Sequence, residues 1–186
     1  MSTILPFISA RALALIFCLF FPSLVLAELV YRFIDDEWGD PVTGLKPVYS
    51  VNWNYGPDCP VTFCFVRPDQ TKTFNGTWHH TMSSAPSTAG HQVTIGFTGI
   101  AISVYGVMAN PPSQNGSVLF TNATFELDGE FVGTYSHFPN SNADQFEYNV
   151  TIFSVSGLSN TNHTLVVTDA QGSELSLLLF DYAKYT

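Results

Sequence analysis

Residues Val118 to His137 read VLFTNATFELDGEFVGTYSH. Apolar and polar side chains alternate on both sides of the dipeptide Asp128-Gly129. Asp-Gly between two alternating runs is the strongest short signal for a β-hairpin, because both turn positions need a positive φ angle. The sequence therefore predicts two antiparallel strands, 118–127 and 130–137, joined by a two-residue turn.

Similar short runs continue along the rest of the chain, separated by loops rich in Gly, Pro, Asn and Ser. No segment shows the 3.6-residue period of a helix. The other predicted strands are 29–34, 48–53, 62–67, 74–81, 91–97, 100–108, 146–155, 164–168 and 175–182. Short strands at this spacing predict an all-β sandwich or barrel, which we place in one domain over 28–186.

Residues 1–27 have the layout of a secretory signal peptide. Arg11 precedes an apolar run from Ala12 to Leu26, and the small residue Ala27 stands before a predicted cut at Glu28. The alternative is a retained anchor helix, but a run of about 15 residues is short of the roughly 20 that span a bilayer. We expect a secreted protein, extracellular or cell-wall associated, with no membrane span after signal cleavage.

The cysteines agree with an oxidising compartment. Cys18 lies in the predicted leader, which leaves the pair Cys59 and Cys64. An even number of cysteines in a secreted chain favours a disulfide over free thiols. Two cysteines alone make a poor zinc site. The sequence predicts a Cys59–Cys64 disulfide.

Five Asn-X-Ser/Thr sequons follow the leader, which predicts a glycosylated surface for a secreted chain of this size. They are Asn75, Asn115, Asn122, Asn149 and Asn162. On the predicted strands, Asn122 and Asn149 fall on the polar faces, where a glycan can be accommodated.

The balance of charge excludes one class of partner. Six Lys and Arg residues stand against fifteen Asp and Glu, for a net charge of -9. Nucleic-acid binding needs clustered cations that contact phosphates, so no nucleic-acid partner is expected. The 16 Phe, 8 Tyr and 3 Trp residues indicate a folded core rather than a disordered chain.

Three blocks of the chain, in this order, are similar to a known group of proteins. They are Ile34-Asp35-Asp36 with Trp53; FNGTWHHT (74–81) with FTGIAISVYG (97–106); and Leu127-Asp128-Gly129 with Leu158, His163-Thr164-Leu165 and Phe180-Asp181-Tyr182-Ala183. Together they resemble ectodomains of uncharacterised fungal surface proteins of mushroom-forming lineages. Those in turn resemble galactose-binding-like jelly rolls, the sandwich of many carbohydrate-binding modules. The resemblance implies an antiparallel β-sandwich of jelly-roll type and a carbohydrate-binding role.

Enzyme motifs are absent from the sequence. It contains no G-x-S-x-G, H-E-x-x-H, P-loop or G-x-G-x-x-G pattern. Glu126, Asp128 and Glu130 are the best candidates for the paired carboxylates of a glycosidase, but Asp128 is better explained as the hairpin turn. We therefore predict a protein that is not an enzyme.

Three aspartates are candidate metal ligands. Asp35 and Asp36 follow the first predicted strand, and Asp181 lies in the last one. In sandwiches of this type the first and last strands often lie side by side, and Ca²⁺ prefers carboxylate oxygens. The jelly rolls that the chain resembles often hold calcium in this region. We expect no required cofactor. The candidate metal is a structural calcium ion held by these three residues; the alternative is that Asp35 or Asp36 simply hydrogen-bonds the backbone or starts a loop.

Aromatic side chains in loops are the best route to a function, because exposed Trp and Tyr rings can stack on the apolar faces of sugars. The candidates near predicted loops are Trp38, Trp53, Tyr55, Trp78, Tyr135 and Phe138. Asn52-Trp53-Asn54-Tyr55 lies in the most polar setting, so we predict ligand binding there, with the two asparagines as hydroxyl partners.

The first functional hypothesis is a non-catalytic carbohydrate-binding or cell-wall-associated module, with a glycan or cell-wall polysaccharide as partner. The second is a structural or protein-interaction ectodomain without a sugar site, which a large exposed apolar patch would favour. The third is a hydrolase with an unrecognised site, for which a Ser/His pair or two close carboxylates in a pocket would be evidence.

Overall fold

The computed structural model describes residues 29–83, 90–112, 117–169 and 175–186; the predicted signal peptide with Cys18, and also Asn115, lie outside these ranges. The described strands are β1 (Arg32–Asp35), β2 (Val48–Tyr49), β3 (Asn54–Tyr55), β4 (His79–Ser83), β5 (His91–Ala109), β6 (Thr121–Leu127), β7 (Glu130–His137), β8 (Phe146–Asp169) and β9 (Ser176–Tyr185). Two short 3-10 turns, Gln70–Lys72 and Phe74–Gly76, precede β4. In the described part, no helix has the length and apolar character needed to cross a membrane.

The strands form two layers that share two long strands. One layer contains β3, β4, β1 and β9 with the second half of β5 and the first half of β8. The other contains β2, β6 and β7 with the remaining halves of β5 and β8. All pairings are antiparallel, so the predicted all-β antiparallel sandwich of jelly-roll type is confirmed.

The long strands pass from one layer to the other at a bulge. Gly99 pairs with Thr161, whereas Ala101 pairs with Ser156, so β8 has extra residues between these two positions. Gly157, at the start of the insertion, has a φ of 79°, which favours glycine. A bulge of this kind bends a strand and increases its twist. The bulge explains why each long strand continues where the sequence predicts a break. The predicted strands 91–97 and 100–108 are both part of β5, and 146–155 and 164–168 are both part of β8.

The core lies between the layers and consists of side chains from both. Phe125 of β6 stacks on Phe153 of β8 with ring centroids 4.6 Å apart, and Phe97 of β5 contacts Tyr185 of β9 at 5.9 Å. The largest fully buried residues are Phe125, Phe180, Ile34, Ile95, Ile102, Met108, Leu165, Leu178, Leu179, Val93, Val104 and Val107. Burial of these apolar side chains is the main favourable term for the fold.

The hairpin predicted at Asp128-Gly129 is present between β6 and β7. Both turn residues have positive φ angles, 53° and 84°. The Asp128 side chain also binds β8: Oδ1 accepts a hydrogen bond from the Thr164 amide at 2.8 Å, and Oδ2 lies 2.7 Å from His163 Nδ1. Asp128 therefore stabilises the turn.

The predicted strand over 62–67 is wrong. The amides of Phe63 and Cys64 both donate to the Pro60 carbonyl at 2.9 Å, which makes a turn. The Cys59–Cys64 disulfide closes this turn over a sequence separation of five residues. The segment is apolar enough for a strand, but the disulfide holds it in a loop. The first three residues of the strand predicted over 74–81 are likewise a 3-10 turn, and β4 begins at His79.

Asp169 links three strands from inside the sandwich. It ends β8, has no exposed surface, and accepts hydrogen bonds from the Ser83 amide of β4 and the Ser176 hydroxyl of β9. Burial raises the pKa of this carboxyl to about 7, although the hydrogen bond from Ser176 acts in the opposite direction. The folded protein therefore holds a proton here that the unfolded chain releases near pH 4.

This difference predicts a pH-dependent effect of Asp169→Asn. The wild type loses stability as pH rises from about 4 to about 7, by at most roughly 1.4 kcal/mol per pH unit from this group. Asparagine resembles the protonated acid and does not titrate. Relative to the wild type, the variant should gain stability over this range, measured by urea unfolding at several pH values. A difference that stays constant from pH 4 to pH 8 would contradict the assignment.

Candidate functional site

A network of buried polar side chains begins where β1 ends. Asp36 is 1% exposed, and its Oδ2 lies 2.7 Å from Nδ1 of His79 on β4. Thr77 donates its hydroxyl proton to Asp36 Oδ1 at 2.5 Å. The Tyr49 ring of β2 stacks on His79 with centroids 4.2 Å apart, and its hydroxyl donates to the Asp36 carbonyl at 2.7 Å. These four residues, Asp36, Tyr49, Thr77 and His79, are called the Asp36 network.

The Asp36 network connects the two layers. Burial raises the pKa of Asp36, although the hydrogen bonds from His79 and Thr77 favour its charged form. His79 is only 8% exposed, so this His/Asp pair is enclosed. The described contacts are those of a structural pair, and no serine or cysteine joins His79 in hydrogen-bond reach among the described residues.

Of the three aspartates predicted to hold calcium, Asp35 and Asp181 lie on adjacent strands, and Asp36 directly follows β1. β1 pairs with β9, and Asp35 is opposite Tyr182, so the expected adjacency of the first and last strands is confirmed. Asp35 accepts hydrogen bonds from the amides of Glu37 and Trp38 through Oδ1 and from the Asn75 amide group through Oδ2.

These contacts do not fit one calcium ion shared by the three carboxylates. Both oxygens of Asp35 and of Asp36 already accept hydrogen bonds from the chain. Asp181 accepts from the Phe74 amide at 2.9 Å, while its Oδ2 is buried without a described partner. Burial, followed by the nearby charges of Asp36 and Asp35, raises its pKa to about 7. The calcium site stays a prediction, which a chelator can test.

In the described residues, just one group of three metal-ligating side chains has its ligand atoms within 4.8 Å of one another. It consists of Cys59, Cys64 and His80. The two sulfur atoms are joined in the disulfide, which removes them as thiolate ligands. Burial lowers the pKa of His80 to about 4, so its imidazole is neutral at physiological pH.

The predicted ligand segment Asn52–Tyr55 lies between β2 and β4. Trp53 is half-buried against the core, 5.0 Å from the Tyr49 ring, and Tyr55 is half-buried beside His79 at 5.5 Å. Asn52 is exposed, and its amide lies 3.3 Å from Nε2 of His91. Asn54 is exposed and pairs with β4. Ligand binding at this segment stays a prediction, but the two rings pack inward.

The other candidate aromatics differ in exposure. Trp78, which directly precedes β4, is 3% exposed and belongs to the core. Tyr135 is partly buried, and Phe138 is exposed and packs on Phe120. Trp38 is 61% exposed. Among these six, Trp38 combines a large exposed ring with a position at a concave surface.

That surface is a cleft of about 310 Å³ beside β1, which we call the Trp38 cleft. Its aromatic lining comes from Tyr31, Phe33, Trp38 and Phe74. Its other lining residues are Arg32, Asp35, Gly39, Asp40, Pro41, Val42 and Asn75. Most ligand sites are concave and rich in apolar and aromatic side chains, with a few polar groups, and this cleft has that composition.

Local hydrogen bonds hold Trp38 outward. The Asp35 carboxylate accepts from the Trp38 amide at 2.7 Å, and Asp35 and Gly39 exchange backbone hydrogen bonds at 3.0 and 3.1 Å. Asp40 stabilises the next turn by accepting from the Val42 amide at 2.8 Å. These bonds fix the backbone of the turn, and the Trp38 side chain lies outside it in an exposed position.

The sequence identified Trp38 as a candidate but did not identify its cleft. The sequence places Tyr31 and Phe33 in the first predicted strand and Phe74 in a later one, with no indication that the three meet. The available local signal was Asp35 three residues before Trp38, a spacing typical of a side chain that caps a turn.

A second cavity of about 500 Å³ adjoins the disulfide. It is lined by Asn54, Cys59, Phe63, Cys64, Phe65, Val66, His80, Met82, Ser117, Val118, Leu175 and Leu177. Phe63 is 80% exposed, and Phe65, Met82 and Leu175 are also exposed. These exposed apolar side chains form the rim of the second cavity.

Four of the five sequons lie in described residues. Asn75, Asn149 and Asn162 are exposed, and Asn122 is half-buried. The Asn75 amide nitrogen donates to Asp35 Oδ2 at 2.8 Å, so this acceptor is engaged with a buried carboxylate. Glycosylation at each position stays a prediction.

Comparison with known proteins found similarity in the fold. No protein-family model matches the chain, and no curated protein matches it. A native family 35 carbohydrate-binding module from Clostridium thermocellum aligns at 10% identity and a TM-score of 0.48 over 84% of this chain and 97% of its own. The CBM36-1 domain of a multidomain xylanase from the hindgut metagenome of Trinervitermes trinervoides aligns at 12% identity and a TM-score of 0.45, over 83% of this chain and 95% of its own. The Agl-KA catalytic domain aligns at 10% identity and a TM-score of 0.50, over 83% of this chain and 27% of its own. At these identities the likeness concerns the fold alone.

Proposed function

We propose that this protein is a secreted, non-catalytic carbohydrate-binding or cell-wall-associated module, and that its sugar site is the Trp38 cleft. The observation that supports this most is the exposed indole of Trp38 in a cleft that Tyr31 and Phe33 also line. Sugar rings present apolar C–H faces, and aromatic rings with polar tips suit such half-wet surfaces. The volume of about 310 Å³ suits one or two sugar rings rather than a long enclosed chain.

The polar groups of the cleft can orient a sugar. Asn75 uses its amide nitrogen on Asp35, which leaves its carbonyl oxygen for a hydroxyl donor. Arg32 supplies N–H donors at the same cleft. Aromatic stacking together with a few directional hydrogen bonds gives affinity and selectivity without a reacting group.

A non-catalytic role agrees with the state of the titratable residues. The His79 and Asp36 side chains, which could serve general acid/base chemistry, are enclosed and bonded to each other. The cleft carboxylates Asp35 and Asp40 are bonded to backbone amides. The Cys59–Cys64 disulfide is compatible with an extracellular location.

The second candidate is a protein-interaction ectodomain. It is favoured by the apolar rim of the second cavity, where Phe63, Phe65 and Met82 are all more than half exposed. Exposed apolar patches often mark sites of protein interaction. On this alternative, the Trp38 cleft would bind no sugar.

The proposal predicts that Trp38→Ala removes carbohydrate binding. Truncation of an aromatic anchor at the centre of a site weakens binding by roughly 2 kcal/mol, and each tenfold in Kd is about 1.4 kcal/mol. We therefore expect a loss of at least about tenfold in affinity for whichever polysaccharide the full chain binds in a screen of cell-wall glycans, run with calcium and again with chelator.

Two variants make the result specific. Phe131→Ala removes another exposed aromatic ring, on β7, and should leave binding unchanged. Trp53→Ala tests the ligand segment predicted from the sequence. Loss of binding in Trp53→Ala but not in Trp38→Ala would contradict the Trp38 cleft, and no binding by the folded wild type would favour the interaction ectodomain. A loss of wild-type binding when chelator replaces calcium would support the predicted calcium site.

A further inference from the structure

The few cations of this acidic chain are unevenly placed. Of its six Lys and Arg residues, Arg11 precedes the described part. Of the other five, Arg32 lines the Trp38 cleft, and Lys46 and Lys184 each lie over an aromatic ring that lines it, Trp38 and Tyr31 respectively. Three of the five described cations of this acidic chain are therefore grouped around one cleft.

None of these three cations is neutralised by an ion pair. The described ion pairs all involve histidine, so no Lys or Arg nitrogen within the described ranges lies within 4.0 Å of a carboxylate oxygen. Lys46 Nζ instead lies 5.4 Å from the centre of the Trp38 ring, and Lys184 Nζ lies 4.7 Å from that of Tyr31. These are weak cation–π contacts, which leave the ammonium protons free to bind an anion.

The carboxylates of the cleft point away from a ligand. Asp35 and Asp40 are each 2% exposed, and all of their oxygens accept hydrogen bonds from the chain. Glu37, next to Trp38 in sequence, is directed toward His79, with its Oε2 3.7 Å from Nε2. The charges that the cleft presents to solvent are therefore positive.

We infer that the Trp38 cleft binds a sugar that carries a carboxylate, the chemistry of a uronic acid. The aromatic rings of Trp38 and Tyr31 would contact the sugar ring, and Lys46, Lys184 and Arg32 would bind its carboxylate. Charge-assisted hydrogen bonds are about twice as strong as neutral ones, and the Arg guanidinium matches a carboxylate in geometry. This inference rests on the proposed function, because it names the ligand class of the same site.

The test compares three probes on the full chain: polygalacturonic acid, the same polymer after reduction of its carboxyl groups, and a sulfated galactan. We expect polygalacturonic acid to bind at least about tenfold more tightly than its reduced form, and the difference to shrink as salt is raised. Lys46→Gln and Lys184→Gln should each weaken binding of the acidic polymer several-fold without changing any residual binding of the reduced one.

Lys72→Gln is the matched control. Lys72 also lies over an aromatic ring, 5.5 Å from the centre of Tyr148, and its removal changes the net charge equally, but it lies outside the cleft. It should leave binding of the acidic polymer unchanged. An equal loss in all three lysine variants would mean that general charge decides, which would overturn the inference.

The outcomes separate the inference from the proposed function. If both forms of the polymer bind equally, and Trp38→Ala abolishes both, the sugar site stands and the carboxylate inference fails. Preferred binding of the sulfated galactan would also overturn it, since a different anion would then be recognised. If Trp38→Ala changes nothing for any probe, the proposed site itself fails.

Discussion

Gly106→Ala is expected to destabilise the protein by about 3 kcal/mol or more, because the added Cβ has no room. It would lie 2.6 Å from the Leu179 carbonyl oxygen of the neighbouring strand and 3.3 Å from the Met108 side chain. The first neighbour is backbone in the middle of a layer and cannot move without breaking strand pairing. For a chain of this size, such a loss lowers Tm by roughly 6–12 °C, which thermal or urea unfolding measures.

Gly96→Ala on the same strand is the control. Its added Cβ would meet only the Leu45 side chain at 4.0 Å, which is ordinary contact. Both glycines lie in β5, so intrinsic strand preference affects the two variants alike. We expect a change within about 1 kcal/mol, of either sign. Equal stability of the two variants would show that β5 and β9 are not packed as described.

Asp36→Ala is expected to lower the free energy of unfolding by about 3–5 kcal/mol, the usual result of removing one partner from a buried pair. The variant leaves His79 Nδ1 and the Thr77 hydroxyl buried without their acceptor. It also releases His79, on which the Tyr49 ring stacks across the two layers. Urea unfolding measures the loss directly.

Glu37→Ala provides the comparison, because Glu37 is the other carboxylate facing the same imidazole. It lies 3.7 Å from His79 Nε2, and its side chain is one-third exposed, so removal should cost less than about 1 kcal/mol. Should Asp36→Ala prove as mild as Glu37→Ala, the enclosed pair would not be a major support of the fold, and its availability for chemistry would need to be reconsidered.

Features encoded by neighbouring residues could be predicted from the sequence. The Asp128-Gly129 hairpin depends on a dipeptide and its alternating flanks, and the Cys59–Cys64 disulfide on two nearby cysteines. The loop over 62–67 could not, because Val61 to Val66 is apolar enough for a strand, whereas the disulfide and the hydrogen-bonded turn at Pro60 hold it in a loop. The continuity of β5 and β8 depends on a bulge, which leaves little trace in hydrophobic periodicity.

The candidate site was less accessible to prediction because distant segments build it. Trp38 and Tyr31 lie near the start of the chain, Phe74 follows some forty residues later, and Lys184 comes from the last strand. A single sequence shows each of these residues but does not show that they lie close together in the fold. The pairing of the first and last strands was expected, and it brings Asp35 and Asp181 onto neighbouring strands. The hydrogen bonds that both Asp35 oxygens and Asp181 Oδ1 accept were not expected.

The shared strands also govern how the chain reaches its structure. β5 and β8 meet across sequence separations of 37 to 78 residues, from Ala109 with Phe146 to His91 with Asp169. Long-range pairing requires large loops to close, and this entropic cost is incurred before the stabilising contacts form. All-β chains of this kind therefore fold in milliseconds to seconds rather than microseconds. A one-residue slip would turn every following side chain to the wrong face. Because the same two strands serve both layers, we expect β5 and β8 to pair before either layer is complete.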